Sequence, residues 1–287
     1  MRISSLGNPA VKAARRLGRR PPRGNRELLV EGPQAVGEAV PFLRRVFVTE
    51  DARRRHPALL ARLGAARVDL LECTAEVLGA IAGTQSPQGL VGVATLPPAA
   101  LERVLLHASL LVVLVEVRDP GNLGTVVRTA DAAGADAVVL VGECVDPRNS
   151  KVVRASAGSL FHLPVVEMAS FEDLVRGCAA HGQVLVAAEA SGAETYTEVD
   201  LSGPSALVFG NEAHGLDAVV SQACDRTVRI PMAAPARPGW SGAAESLNLA
   251  ATVATITFEA ARQRRVGRQH SDPGTTTDSG SDKEVGR

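Results

Sequence analysis

Residues 110–125, LLVVLVEVRDPGNLGT, decide the fold class of this chain. They begin with a continuous apolar run rich in β-branched residues, which is typical of a strand buried on both faces of a parallel sheet. A polar, glycine-containing loop follows at once. A helix is then predicted from Asn122 to about Ala133, with Gly134 as its C-cap. A strand, a loop and a helix in this order predict a βαβ unit and an α/β fold.

The same alternation continues on both sides of this stretch. Downstream, strands are predicted at 137–141, 184–188, 206–210 and 227–230, and helices at 150–157, 171–181, 216–223 and 246–264. Upstream, strands are predicted at 28–31, 46–49, 68–71 and 89–95, and helices at 33–40, 56–63 and 74–82. The sequence therefore predicts a mostly parallel sheet preceded by a smaller α/β unit.

Breaks in composition divide the chain. Residues 97–100, PPAA, are expected to form a linker, and the segment after Val266 is rich in Ser, Thr, Gly and Asp. We expect a first domain at 1–100, a second at 106–266 and a disordered tail at 267–287.

Positive charge is concentrated at the beginning of the chain, although the formal net charge is zero. The first 26 residues contain eight basic side chains and no acidic one. This pattern favours an anionic partner, and a solvated charged face is the alternative. The candidate RNA-binding residues are Lys12, Arg15, Arg16, Arg19, Arg20, Arg23 and Arg26.

Several classes of protein lack their usual signatures here. The four cysteines form no C-x-x-C and the six histidines no H-E-x-x-H, so no metal site is expected. No G-x-G-x-x-G, phosphate-binding G-x-x-x-x-G-K-[ST] or G-x-S-x-G is present. Neither a membrane span nor a secretory signal is apparent, so a soluble cytoplasmic protein is expected.

Three polar loops follow predicted strands. They are DPGNLGT at 119–125, FGNEAHGL at 209–216, and the segment that runs from IPM at 230–232 to ESLN at 245–248. Taken singly, Asn122 and Ser246 could be helix N-caps, the glycines could serve tight turns, and Arg128 could be a surface residue. Taken together, loops at the carboxyl ends of strands in one parallel sheet are expected to converge.

The three loops resemble, in order and type, the signature motifs of SpoU (TrmH-like) RNA ribose 2′-O-methyltransferases of the SPOUT superfamily. Here they read DPGNLGTVVRTADAAG (119–134), LVFGNEAHGL (207–216) and IPM…GAAESLNLA (230–250). The N-terminal third resembles the substrate-binding domain found in that family, through NPAVK (8–12), LVEG (29–32) and TQSPQG (84–89). The resemblance covers residues 1 to about 265.

The resemblance implies a trefoil-knotted parallel-sheet catalytic domain after a small ribosomal-protein-like RNA-binding domain. It also implies a homodimer, S-adenosylmethionine as cofactor and structured RNA as substrate. A ribose in 23S rRNA is the expected target, with a uridine as the expected nucleotide. Within the family the chain resembles antibiotic-resistance ribosomal RNA methyltransferases. Methylation of tRNA, a non-catalytic RNA-binding protein and an α/β oxidoreductase with an unusual nucleotide loop are the alternatives.

The resemblance also implies roles for individual residues. Arg128 matches the first motif's arginine, and because a guanidinium stays protonated, its expected role is to hold a phosphate whose oxygen takes the proton. The expected catalytic residues are Arg128, Asn122, Glu212, Ser246 and Asn248. The expected cofactor-binding residues are Ala187, Ala188, Glu189, Phe209, Gly210, Asn211, Ile230, Met232, Ser246 and Leu247.

Two points remain open at this stage. Glu212 could be a structural anchor of its loop. Residues 233–241, which contain the only tryptophan, Trp240, depart from the short spacer of the family and put the cofactor pocket rim in doubt. Trp240 could stack on a base or serve packing.

Overall fold

The chain folds around two β-sheets that are consecutive in the sequence. The computed structural model describes residues 2–19, 26–233 and 244–270. The helices are α1 (Pro9–Arg19), α2 (Pro33–Glu38), α3 (Glu50–Arg55), α4 (Pro57–Ala65), α5 (Ala75–Ile81), α6 (Leu101–Leu105), α7 (Pro120–Ala133), α8 (Ser150–Ala155), α9 (Phe171–Ala180), α10 (Ala218–Gln222) and α11 (Leu249–His270). The strands are β1 (Glu27–Glu31), β2 (Leu43–Thr49), β3 (Asp69–Cys73), β4 (Leu90–Thr95), β5 (Leu110–Val115), β6 (Ala137–Val141), β7 (Val165–Met168), β8 (Val184–Ala188), β9 (Glu194–Thr195), β10 (Ser205–Phe209) and β11 (Arg226–Arg229).

The first sheet is small and mixed. Its strand order is β1-β4-β2-β3, with β4 antiparallel to both neighbours and β2 parallel to β3. Alternate residues of β1 enter different buried clusters: Leu28 and Val30 belong to one and Leu29 to another. Both faces of this sheet are therefore covered, as the period of two along a strand requires.

The second sheet is parallel at every pairing described. Its order is β7-β6-β5-β10-β8-β11-β9. Phe209, the last residue of β10, lies opposite Leu114 of β5 and Ala188 of β8. The carboxyl ends of β5, β10, β8 and β11 therefore lie side by side at one edge of the sheet, which we call the carboxyl edge.

One apolar core joins the two sheets. Leu28 and Val30 of the first sheet share a buried cluster with Val152 and Val153 of α8. At the same junction, Glu31, of which 9% of the side chain is exposed, pairs with Arg154 at 3.4 Å. The rings of Phe42 and Phe161 also stack there, with centroids 5.6 Å apart. The two halves of the chain therefore pack as one body at this junction.

The predicted α/β class, the parallel sheet and the preceding small sheet are confirmed. The short elements α3, α6, β7 and β9 were not predicted, and neither was α1. The last helix begins at Leu249 rather than at 246 and continues to His270, so the expected tail boundary at 267 falls inside a helix. The remainder of that tail, 271–287, lies outside the described residues, and the domain limits stay predictions. No described helix is long and apolar enough to cross a membrane.

Candidate active site

Asn122 connects the three motif loops through its side chain. Its Nδ2 donates to Oε1 of Glu212 at 2.6 Å, and its Oδ1 accepts from Nδ2 of Asn248 at 3.1 Å. These three residues follow β5, β10 and β11, whose carboxyl ends lie along the same edge, with β8 between β10 and β11. The expected convergence of the loops is therefore present in the structure.

Asn122 is free to make these contacts because another residue caps its helix. Asp119 is the N-cap of α7, and its Oδ1 accepts from the backbone N–H of Asn122 at 2.8 Å. The alternative that Asn122 is an ordinary N-cap is therefore wrong. Since Asp119 satisfies that N–H, the Asn122 amide points to the other loops.

Asn248, not Ser246, lies at the start of α11. Its Oδ1 accepts from the backbone N–H of Ala250 at 2.9 Å, as a residue at the N-terminus of a helix does. The interpretation of Ser246 as the cap is therefore wrong, and Ser246 lies exposed before the helix. No side-chain hydrogen bond of Ser246 is found within the described part of the chain, so its hydroxyl is free to meet a ligand.

The hydrogen bonds among these amides have a defined direction. A backbone N–H can only donate, so Asn248 must present its oxygen to Ala250 and its NH₂ to Asn122. Because the Asn122 oxygen accepts from Asn248, its NH₂ faces Glu212 and donates to Oε1 of that side chain. The series of hydrogen bonds from Ala250 through Asn248 and Asn122 to Glu212 therefore fixes which atom of each amide is the oxygen and which is the nitrogen.

The loop that carries Glu212 is a tight turn. Asn211 and Gly215 exchange two backbone hydrogen bonds of 3.1 and 3.0 Å, and Oδ1 of Asn211 accepts from the N–H groups of Ala213 and His214 at 2.9 Å each. A Cβ at Gly210 would lie 2.1 Å from the carbonyl carbon of Gly215. Only glycine fits at position 210, because the two backbones touch there. Asn211 was predicted to bind the cofactor; the structure shows its side chain forming this turn, and the cofactor contact stays a prediction.

Arg128 lies on a different face of α7 from Asn122. Six residues separate them, which corresponds to roughly 120° around the helix axis. Arg128 is exposed, as are Thr125 and Gly121 one and two turns earlier. Among the described residues it has no hydrogen bond or ion pair. The structure therefore does not bring Arg128 into the Glu212–Asn122–Asn248 cluster of the same chain.

The expected cofactor-binding residues lie at the ends of three neighbouring strands. Ala187 and Ala188 end β8, Phe209 ends β10, and Ile230 directly follows β11. Glu189 is fixed by its own contacts, because its N–H donates to the Val228 carbonyl at 2.9 Å and its Oε2 accepts from Oγ of Ser221 at 2.9 Å. Glu189 is therefore engaged in contacts within the protein, although the end of β8 next to it lies at the carboxyl edge.

Two large apolar side chains are exposed near this edge. They are Met232, 36% exposed, and Leu247, 41% exposed. They stand on either side of 234–243, the segment that contains Trp240 and lies outside the described residues. Exposed apolar side chains beside strand-end backbone groups suit a flat, uncharged ring system.

Sequence reasoning missed the part played by Gly192 and Arg229. A Cβ at Gly192 would lie 2.3 Å from the carbonyl carbon of Val228, so the loop after β8 is pressed against β11. Arg229 holds that loop by donating from Nη1 to the carbonyls of Gly192 and Ala193, at 2.6 and 2.8 Å. A glycine four residues past a strand end was the available signal.

Four candidate RNA-binding side chains are described, those of Lys12, Arg15, Arg16 and Arg26, and Arg26 donates to the backbone carbonyls of Leu96 and Pro97. Lys12, Arg15 and Arg16 lie on α1, and the structure shows no acidic partner for them in the residues it describes. Other N-terminal arginines do have carboxylate partners; these pairs are Arg2–Glu50, Arg44–Glu27, Arg45–Asp69, Arg53–Glu72, Arg54–Glu50 and Arg55–Asp51. Arg20, Arg23 and the side chain of Arg19 lie outside the described residues.

The cysteines carry no reactive thiol. Burial raises the pKa of Cys73 and of Cys178 to about 11 and that of Cys224 to about 12, and it also raises the pKa of Cys144. All four thiols are therefore protonated near neutral pH. In the described ranges, no group of three or more His, Cys, Asp or Glu side chains is arranged to hold a metal ion.

Comparison with family models gives two matches. Residues 109–258 match the SpoU rRNA Methylase family, and residues 8–92 match the MRM3-like substrate binding domain. The first match includes the Glu212–Asn122–Asn248 cluster, and the second includes α1 and most of the first sheet.

Individual relatives agree with the family models. The 23S rRNA (guanosine(2553)-2′-O)-methyltransferase RlmP of Bacillus subtilis is 31% identical over 89% of this chain and 97% of its own. The AdoMet-bound rRNA methyltransferase from Sinorhizobium meliloti superposes with a TM-score of 0.78 at 33% identity, covering 91% of this chain and 97% of the other. The SpoU methyltransferase AviRb from Streptomyces viridochromogenes, solved with AdoMet, gives 0.76 at 31%, covering 91% and 100%.

Proposed function

The chain belongs to the SpoU rRNA methylase family, and we propose that it transfers the methyl group of S-adenosylmethionine to the 2′-hydroxyl of a ribose in 23S rRNA. The observation that carries this proposal is the hydrogen-bonded cluster of Glu212, Asn122 and Asn248. It unites one polar residue from each of the three motif loops at the edge of the sheet where α/β proteins bind ligands.

The carboxyl edge fits S-adenosylmethionine. The backbone at Ala188, Gly210 and Ile230 offers strand-end N–H and carbonyl groups, and Met232 and Leu247 offer apolar surface for an adenine ring. Bound there, the cofactor supplies an electrophilic methyl group, and its transfer requires no metal. Glycine at position 210 lets the turn lie against the end of β10, because a side chain there would displace the loop.

The chain's own residues position the ribose. The free hydroxyl of Ser246 and the amides of Asn122 and Asn248 can hold the sugar so that its 2′-oxygen faces the methyl carbon. Correct placement of two reactants supplies a large part of the rate enhancement in such transfers. Arg128 binds the neighbouring phosphate through its forked N–H groups, and an oxygen of that phosphate takes the 2′-hydroxyl proton.

A homodimer brings Arg128 to the rest of the site. Arg128 lies on the exposed face of α7, which packs against α11, and Phe258 of α11 is 43% exposed. A second copy that covers these two helices would bury Phe258 and place Arg128 beside its partner's ribose site. The trefoil knot belongs to the same proposal. Its support is the path of the chain, which inserts β10 between β5 and β8 and returns after β11 to pack α11 on α7.

The RNA docks on the first domain as well as on the catalytic edge. The cations of α1 are free to contact phosphates, whereas those of β2 and α3 are engaged by carboxylates. We place the protein in the cytoplasm, where ribosomal RNA is found. We further propose that the target nucleotide is a uridine and that its methylation confers antibiotic resistance.

The test is methylation by the purified full-length chain. In vitro transcripts of 23S rRNA and of tRNA are incubated with labelled S-adenosylmethionine, and the modified nucleotide is mapped by primer extension at low nucleotide concentration. The expected result is one labelled 2′-O-methyl site in 23S rRNA. Label in tRNA alone supports the tRNA alternative, and absence of label from both, with RNA binding retained, supports the non-catalytic alternative. A thermal shift with NAD but not with S-adenosylmethionine supports the oxidoreductase.

Resistance is measured separately. The coding sequence is expressed in a sensitive bacterium, and growth is compared with that of an Arg128→Ala variant across ribosome-targeting antibiotics. Growth that depends on Arg128 supports resistance. Equal growth contradicts it.

A further inference from the structure

A cavity of about 510 Å³ lies at the junction of the two sheets, away from the Glu212–Asn122–Asn248 cluster. We call it the junction cavity. The interdomain linker and α6 form one wall, and the segment 160–165 before and within β7 forms the other. Its volume falls in the range of small-ligand sites, ~300–1,000 Å³, which occur preferentially between domains.

The interior of the junction cavity is apolar and partly aromatic. Phe42 and Phe161, the stacked pair, line it together with Leu96 and Pro97. Proteins receive unpaired RNA bases on aromatic and apolar walls of this kind. The cavity therefore suits a flat ring.

Two arginines at the cavity have no carboxylate partner in the described part of the chain. Arg26 donates to the backbone carbonyls of Leu96 and Pro97, which hold its guanidinium without neutralising it. Arg103 lies exposed on α6, and the structure shows no hydrogen bond or ion pair for it among the described residues. A ring bound inside the cavity could therefore have its anionic group on Arg26 or Arg103.

Of the two acidic residues in the wall, Asp136 and Glu167, Asp136 is engaged by hydrogen bonds within the protein. Oδ2 of Asp136 accepts from the N–H and Oγ of Ser109, at 2.7 and 3.1 Å, and from the N–H of Leu110 at 2.9 Å. Glu167 lines the cavity together with Arg148, whose ion-pair partner is Asp146 at 2.6 Å. Neither carboxylate directly opposes Arg26 or Arg103.

We propose that the junction cavity binds one unpaired nucleotide of the RNA substrate, with its base against the Phe42 and Phe161 wall and its phosphate on Arg103 and Arg26. This inference rests on the proposed function, because it takes RNA as the substrate. Arg26 is also one of the candidate RNA-binding residues at the start of the chain. The site holds the RNA at a point separate from the reacting ribose.

Photo-cross-linking tests the location. The full chain is bound to a 23S rRNA transcript that contains 4-thiouridine, irradiated, and digested for mass spectrometry. Cross-links in residues 96–108 or 160–165 are expected. Cross-links confined to α1 and the carboxyl edge would overturn the proposal.

Two variants test the energetics. Arg103→Gln removes a phosphate contact, and Ala100→Trp fills the mouth of the cavity from an exposed position. Each is expected to raise the KM for RNA about tenfold, as loss of a base or phosphate contact does, with kcat and the Kd for S-adenosylmethionine unchanged. The control is Arg176→Gln on α9, which removes an exposed arginine that does not line the cavity. If Ala100→Trp does not fold, Arg103→Gln decides the question.

The outcomes separate this inference from the proposed function. An active chain with no cavity cross-links and an unchanged KM in Arg103→Gln contradicts only the cavity site. A chain that cross-links in the cavity but labels no RNA contradicts only the methyltransferase activity.

Discussion

The side-chain amides of Asn122 and Asn248 meet at 3.1 Å although 126 residues separate them in the chain. Asn248 donates this hydrogen bond while its own oxygen accepts from the first turn of α11. Asn122 in turn donates from its Nδ2 to Oε1 of Glu212. The contact therefore helps to fix the N-termini of α7 and α11 and the loop after β10 relative to one another.

Charge at position 122 should disable the site. Asn122→Asp places a second carboxylate against Glu212 at hydrogen-bond distance, and like charges repel there. We expect kcat/KM to fall about 10²-fold because the loops separate. Steady-state methylation assays measure this. The double variant Asn122→Asp with Glu212→Gln restores a donor–acceptor pair and should recover part of the loss, whereas Arg176→Gln on α9 should have little effect. No recovery in the double variant would show that the contact itself is not what matters.

Complementation between subunits should reveal where Arg128 acts. Arg128→Ala and Asn122→Ala are each expected to be nearly inactive as homodimers. If Arg128 serves the partner's site, a mixture of the two refolded together contains heterodimers with one intact site and recovers up to about one quarter of normal activity. Activity that stays at the level of the separate variants would place Arg128 in the site of its own chain.

A methyl group at position 210 should open the Glu212 loop. The Cβ of Gly210→Ala would lie 2.1 Å from the carbonyl carbon of Gly215, so the backbone must move. We expect a loss of about 1–3 kcal/mol in the free energy of unfolding, together with most of the activity. Gly203→Ala is the matched control, because nothing lies within 4 Å of its Cβ position. Urea titrations of both variants check the difference. Equal stability would mean that the loop adapts without cost.

The bridge at His162 should make stability depend on pH. Its Nδ1 lies 3.1 Å from Asp131 of α7 and its Nε2 lies 3.2 Å from Glu38 of α2. The hydrogen bond to Asp131, followed by the one to Glu38, raises the pKa of His162 above its ordinary value. The bridge therefore stabilises the folded chain fully below the unfolded pKa of histidine and is lost as the pH rises through the folded value.

Comparison of the chain with His162→Gln over this pH range tests the bridge. The difference in the free energy of unfolding should be largest at acidic pH and should shrink towards alkaline pH. A difference that stays constant with pH would assign the effect of the substitution to packing.

Neutralising the cations of α1 should weaken RNA binding and reduce its dependence on salt. The triple variant of Lys12, Arg15 and Arg16 to Gln is expected to lower the slope of log K against log salt by about two to three. The matched control is the triple variant of Arg53, Arg54 and Arg55 to Gln, because carboxylates already pair with these arginines. Filter-binding titrations at several salt concentrations measure both slopes. Equal slopes would move the RNA to another face.

Much of the architecture could be predicted from the apolar run at 110–115 and from similar apolar runs later in the chain. A buried parallel strand leaves a clear pattern because both of its faces are apolar, and β6, β8 and β10 were found in the same way. The short strand β9 was missed because two residues carry no periodicity. The helix α1 was missed because its many arginines hide the apolar face formed by Val11 and Ala14.

The convergence of the three loops was predicted from the sequence, but the hydrogen bonds that join them were not. Loop order and strand ends were enough to place Asn122, Glu212 and Asn248 together. They could not show that Asp119 caps α7, since the first turn holds two residues able to do so and only the backbone geometry chooses between them. Arg128 was predicted to act beside Asn122, although a separation of six residues along α7 places the two on different faces of that helix.

The common core beneath the two sheets has a consequence for how the chain can be divided. If the polypeptide is divided near Pro98 and the two fragments are produced separately, Leu28 and Val30 no longer pack with Val152 and Val153. Each fragment then exposes an apolar surface to solvent. Separate expression of the two halves should therefore give aggregating products, whereas the intact chain should melt in a single transition. The first sheet of this chain can therefore be replaced only together with the α8 surface that packs on it.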